Sequence, residues 1–347
     1  MDGTEQRLAD ELVTGRASRR SKRRIAKRLV VLLVCGVGLY AVAPGLIEVF
    51  SAAPRLVTLD LWWFIGMLVA QTGSFVALWA LIGICIHSRD WFVIATTNLT
   101  STAVGRIVPG GGAASAAMNL RMLTTAGVPA STAATGVTAF SLISTGMLFA
   151  MPSLALPSIL AGVPVSSGLA QAAWIGIGFF VVLFATAMVL VTSDRPLRVT
   201  GRLLQRAATL FRSKRALASL PERLIEERNL IRKTLGAEWP RALGAAVIKT
   251  FLEFMALMGA LLAVGASPDP GLVVLAFSAA SVLTTVPITP GGLGFVEAGL
   301  TGTLVLAGVS AGDAALATLA FRLASYWVPM LLGVGALFMF RARYKAL

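Results

Sequence analysis

The chain has 347 residues, 56% of them hydrophobic and only 13% charged, with a mean hydropathy of +0.81 and a formal charge of +14. Those values exclude an ordinary soluble domain and belong to a polytopic membrane protein. The positive charge does not point to nucleic acid, because 24 of the 30 Lys and Arg fall in three polar segments, 1–28, 193–241 and 341–347, without the aromatic interleaving that stacks bases. They read as cytoplasmic cations that set orientation and attract anionic lipid headgroups.

Residues 1–28 form a basic cytoplasmic tail. A first span follows over about Leu29–Phe50. Ala41-Val42-Ala43 resembles a signal cleavage site, but Pro44 follows it directly and the polar lead is long, so the span reads as uncleaved. A second span, about Leu61–Ile86, opens with the interfacial pair Trp62-Trp63. His87-Ser88-Arg89-Asp90 then turns the chain on the cytoplasmic side.

Two apolar pieces come next, about 91–105 and 113–127, joined through Arg106, Pro109, Gly110 and Gly111. Each is shorter than the roughly 20 residues of a comfortable crossing, so a re-entrant hairpin of two half-helices is expected. The third span runs about Ala130–Met151 and the fourth about Leu169–Thr192. The basic loop 193–240 carries Leu203, Leu210, Leu217, Leu224 and Ile231 at intervals of seven, which predicts helix with one apolar face along the inner surface. Ser219-Leu220-Pro221-Glu222 resembles a capping box.

The fifth span is about Arg241–Gly265. A second broken hairpin, about 272–287 and 293–308, surrounds TTVPITPGGLGFVEAG, and the last span reaches about 340 before a short cationic tail, 341–347. Pro287 and Pro290 each lack a backbone N–H and clash with the preceding turn, so no continuous helix passes through. Gly291, Gly292 and Gly294 allow a sharp turn. A helix restarting after them would present free N–H groups and a partial positive charge suited to phosphate, with Glu297 in its first turn.

A shift of 181 residues superposes the two hairpins without a gap. Pro109-Gly110-Gly111 falls on Pro290-Gly291-Gly292, Ala126-Gly127-Val128 falls on Ala307-Gly308-Val309, and 11 of 27 positions match between Pro109 and Thr135. Three crossings separate the hairpins, so the second unit is expected to face the opposite way. The fold expected is therefore an all-α polytopic integral membrane protein. It has about six full transmembrane helices plus two broken re-entrant helical hairpins in two inverted-topology repeats. The first membrane half is 29–192, with its repeat unit at about 61–151, and the second is 241–340. Such repeats bind substrate where they meet.

The stretch Pro287, Pro290 to Gly294, Glu297, Gly308-Val309 and Arg322 resembles the second-half signature of the lysylphosphatidylglycerol synthase transmembrane (flippase) family. The first half resembles the family's earlier element, with Pro109, its glycines and Arg121. The resemblance implies movement of an aminoacylated phospholipid, or of another lipid or polyprenyl-linked substrate, between leaflets. The synthases carry a soluble aminoacyl-transferase domain after the membrane part. With Leu347 as the last residue, a stand-alone member that is not an enzyme is expected.

Ionisable groups inside spans are costly and are functional candidates by default. Glu297 and Arg322 lead, and Arg322 can either pair with Glu297 or hold a phosphate. Arg121 and Arg106 are candidates for a headgroup entering from the cytoplasm, with snorkelling to the surface as the competing reading. Lys249 and Glu253, four apart, are expected to pair structurally, and Glu48 to be interfacial. Cys35 and Cys85 lie in apolar spans and His87 is the single histidine, so neither a disulfide framework, a metal site nor any other cofactor is expected.

The function expected is a lipid translocase in the cell membrane with both termini cytoplasmic. Phosphate would be held by the glycine-lined half-helix ends, at Pro109, Gly110, Gly111, Pro290, Gly291, Gly292 and Gly294, together with Arg322, while Glu297 would meet a headgroup amine or a proton. Arg106 and Arg121 are further substrate-binding candidates. The partners expected are a membrane phospholipid or lipid-linked substrate and anionic headgroups at the basic loops. The second reading is a non-transporting subunit that docks a glycosyltransferase or lipid synthase through loop 193–240. Headgroup, direction, energy source and self-association stay open in the sequence.

Overall fold

The computed structural model describes residues 59–108, 111–155, 236–283 and 292–344, with isolated positions between 171 and 229. The expected first span, nearly all of the fourth span and most of the basic loop lie outside the described residues. So do Glu48, Pro109, Gly110, Pro287, Pro290 and Gly291. Among the described residues the chain is helical, with no strand.

The helices are α1 (Leu61–Ile86), α2 (Trp91–Ile107), α3 (Gly111–Thr125), α4 (Ala130–Ala150), α5 (Trp239–Ala263), α6 (Pro270–Leu283), α7 (Phe295–Leu306), α8 (Ala311–Arg322) and α9 (Val328–Arg343). A π-helical turn, Leu323–Trp327, joins α8 to α9. Their boundaries follow local chemistry. The Asp60 carboxylate accepts from the backbone N–H of Trp62 and Trp63 to start α1, and His87 closes it in a left-handed conformation. Asp90 caps α2 by accepting from the Val93 N–H, and Asp269 caps α6 by accepting from those of Gly271 and Leu272.

Among the described residues, four helical stretches are long and apolar enough to cross a membrane: Leu61–Ile86, Ala130–Leu154, Gly236–Ala263 and Ala311–Arg343. At 1.5 Å per residue the others, α2, α3, α6 and α7, reach only about 18–26 Å, short of a hydrocarbon core of about 30 Å. The polypeptide is a multi-pass membrane protein. The expected short pieces are present as short helices, and each pair packs together as a hairpin: α2 on α3, α6 on α7.

The 181-residue correspondence extends to individual hydrogen bonds. After α3, the N–H groups of Ala126, Gly127 and Val128 donate to the carbonyls of Met122, Thr124 and Leu123. After α7, those of Ala307, Gly308 and Val309 donate to Thr303, Val305 and Leu304, each exactly one shift away in number. Gly127 and Gly308 share the same φ of 93°, the left-handed closure that glycine allows.

Packing follows the same correspondence. The central pair is α1 against α5. Gly259 there brings α5 against the backbone of Met67. The first hairpin lies on α9, where Gly333 meets the Leu99 carbonyl and Thr100 Oγ1 donates to the Gly333 carbonyl at 3.3 Å. On the other side, α6 lies on the turn Met151–Ala155 that continues α4. Lipid tails are as apolar as Leu, so association of such helices relies on close approach of small residues. Buried Ala256, Ala260, Ala276, Ala280, Ala317 and Ala320 supply it in the largest core cluster.

Candidate functional site

Only six Lys and Arg lie outside the three polar segments: Arg55, Arg89, Arg106, Arg121, Lys249 and Arg322. Three of them, Arg106, Lys249 and Arg322, line a single cavity of about 410 Å³. Helix α2 contributes Arg106, α4 contributes Ser144 and Thr145, and α5 contributes Lys249 and Glu253. Phe277, Val296, Leu300 and Phe321 of α6, α7 and α8 supply apolar wall, and Tyr326 comes from the π-turn. Both hairpins therefore meet the long helices at one charged space.

Arg322 ends α8, about 16 Å from its start and about 30 Å from the end of α9, too deep for easy snorkelling. Its Nε donates to Glu297 Oε1 at 2.7 Å, with the side chains 10% and 12% exposed. The pairing with Glu297 expected as one reading of Arg322 is formed. The bond is single and not forked: Glu297 Oε2 and Arg322 Nη2 are buried and find no partner among the described residues. Glu297 sits in the first turn of α7, where a carboxylate also complements the helix dipole. It is Arg322, not Glu297, that faces the cavity.

Arg106 is held by a break in the last span. Pro329 has no N–H, so the carbonyl of Ser325, four residues earlier, lacks its helical donor. The π-turn widens the same stretch, with the Val328 N–H reaching back to the Leu323 carbonyl. Arg106 Nη2 donates to the freed Ser325 carbonyl at 2.9 Å, and Nη1 donates to that of Tyr326. An arginine of the first hairpin thus completes the backbone of the second unit.

Tyr326 packs both guanidinium groups. The Arg106 and Arg322 Cζ atoms lie 4.4 and 4.3 Å from its ring centroid. Cation–π attraction to one ring offsets part of the repulsion between two buried like charges. Tyr326 is 1% exposed, and its hydroxyl, like that of Ser144, finds no partner among the described residues. Lys249 Nζ pairs with Glu253 on the opposite wall, as the four-residue spacing predicted.

Several expected site residues stand elsewhere. Arg121 is on the exposed side of α3 and does not line the cavity. Gly111, Gly292 and Gly294 are not among the lining residues either. Gly292 and Gly294 adopt φ of 74° and 77° and lead into α7 as a turn. Gly111 instead lets α3 approach the Gly105 carbonyl of α2. The glycines shape the hairpins, and the cations face the space between them. Sequence reading missed Tyr326 and Ser325. Pro329 was the available signal, since it orphans a carbonyl that a buried helix must satisfy.

The model of the lysylphosphatidylglycerol synthase TM region matches residues 27–333. The chain belongs to that family. No curated protein and no solved structure matches it significantly. As a member of the lysylphosphatidylglycerol synthase TM region family it has a lipid-related role, and the match covers both hairpins and the whole cavity wall.

Proposed function

We propose that the protein is a lipid translocator that passes a phosphate-bearing lipid headgroup through the cavity between its two hairpins while the tails stay in the bilayer. The observation that carries this reading is the gathering of Arg106, Lys249 and Arg322, otherwise prohibitive at membrane depth, around one polar space. Among the described residues, Arg322 Nη2 and the hydroxyls of Tyr326 and Ser144 have no hydrogen-bond partner. These donors suit phosphate oxygens. Glu297 acts as a positioning residue that holds Arg322.

The two hairpins are re-entrant and oppositely oriented, one from the cytoplasm and one from outside. Rocking of the units about the α1–α5 contact would open the cavity to each leaflet in turn. The membrane is the cell membrane, with both termini cytoplasmic, because the cationic segments then all lie inside.

The test is reconstitution in liposomes with a headgroup-labelled phospholipid whose outer-leaflet label is quenched. Native protein is expected to make the inner-leaflet label accessible. Arg322→Ala and Glu297→Gln, recovered folded, are expected to lose at least about tenfold in rate, the order of one lost charged contact. Native rates in both variants would refute the proposal.

A further inference from the structure

Charge counting at the cavity extends that reading to the class of headgroup, and rests on it. Arg106, Lys249 and Arg322 face the space. Glu253 neutralises Lys249 and Glu297 neutralises Arg322. Among the described residues, the hydrogen bonds of Arg106 go to carbonyls and its guanidinium stacks on a ring, with the Glu253 carboxylate acting on it at longer range. Three cations against two carboxylates among the described residues leave one positive charge.

Among the described residues, the unengaged polar atoms of the lining are the Tyr326 and Ser144 hydroxyls, which donate or accept, and the donor Arg322 Nη2. Glu297 Oε2 behind Arg322 is an unengaged acceptor, and the lining carboxylate Glu253 already holds Lys249. Tyr326 and Arg322 are both more than nine-tenths buried. A wall of this kind is incomplete without an acceptor-rich group carrying one negative charge.

We infer that the cavity selects a lipid with a net anionic phosphodiester headgroup, such as a phosphatidylglycerol, and disfavours a cationic aminoacylated one. A single phosphodiester charge balances the surplus of Arg106. An added headgroup ammonium would enter a low-dielectric space whose described lining carboxylate, Glu253, already holds Lys249, and zwitterionic lipids fall between.

The experiment measures binding to the full-length chain in a neutral detergent, followed by intrinsic tryptophan fluorescence. The probes are short-chain phosphatidylglycerol, phosphatidylethanolamine and lysyl-phosphatidylglycerol. Half-saturation is expected at a concentration at least about tenfold lower for phosphatidylglycerol than for its lysylated form, the size of one unbalanced charge at close range. Arg106→Gln is expected to weaken phosphatidylglycerol binding by about tenfold and to remove the ordering. Tyr326→Phe, which keeps the ring, is expected to weaken it less and to keep the ordering. Equal or tighter binding of the lysylated lipid overturns the inference. So does an ordering that survives Arg106→Gln, which would place the preference in the basic segments. Should Arg106→Gln not fold, unchanged phosphatidylglycerol affinity in Tyr326→Phe would count against the site. Ordered binding without transport in liposomes would remove the translocator and leave this site, and transport without ordered binding would do the reverse.

Discussion

Arg106 and Pro329 meet through one oxygen. The proline withholds the helical N–H from the Ser325 carbonyl, and the arginine supplies a donor at 2.9 Å from a helix 219 residues earlier. Pro329→Ala returns that N–H to the chain. The variant is expected to be at least as stable as the native chain, because an interior proline costs a helix about 3 kcal/mol. Transport is expected to fall, because the returned N–H competes with Arg106 for the Ser325 carbonyl and loosens one of its two backbone contacts. Thermal unfolding beside the liposome assay checks both, and native transport in a stable Pro329→Ala chain would count against the role of this contact.

The buried pair makes a stability prediction of its own. Arg322→Ala leaves Glu297 charged without a partner in a largely dry place and is expected to destabilise by about 3–5 kcal/mol. The double variant Glu297→Gln with Arg322→Gln is expected to be less destabilised than the sum of the singles. Additive losses would mean that the two groups do not sense each other.

Tyr326 separates ring from hydroxyl. Tyr326→Leu removes the surface against which both guanidinium groups pack and is expected to cost about 2 kcal/mol or more. Tyr326→Phe is expected to fold almost normally. Equal losses in the two variants would shift the stabilising role from the ring to the hydroxyl.

Equivalent glycines report the repeat. Gly127 and Gly308 share φ and cap hydrogen bonds, so alanine at either is expected to cost a similar amount, about 1 kcal/mol, from the left-handed backbone. Topology is read separately. In a chain whose own cysteines are replaced, Gly112→Cys and Gly292→Cys are expected to react with an impermeant thiol reagent from opposite sides. Labelling of both from one side would contradict opposed hairpins.

Much of this architecture was legible in the sequence because the breakers are local. Prolines break or open helices by their missing N–H, and Asp60 and Asp90 start them, so α1 runs over the expected Leu61–Ile86 and α4 ends one residue early. The gap-free shift of 181 placed Gly127 and Gly308 in the same cap. Lys249 and Glu253 needed only helical spacing. The site was less legible because its contacts join distant segments. Nothing local distinguishes Arg106, which reaches the cavity, from Arg121, which lies on an exposed face. Tyr326 looks like any aromatic residue in an apolar span. Gly292 and Gly294 drew attention as anion ligands by composition, and their positive φ values shape the turn into α7.

The central claim is that one charged cavity serves both leaflets. Ser325 lies on its wall and is partly buried, so Ser325→Cys in a chain lacking Cys35 and Cys85 gives a single reporter inside it. The measurement is its reaction with an impermeant thiol reagent, applied to oriented proteoliposomes first outside and then inside. The account predicts labelling from each side, slowed by short-chain phosphatidylglycerol. Labelling from one side alone, at a rate no lipid changes, would contradict it.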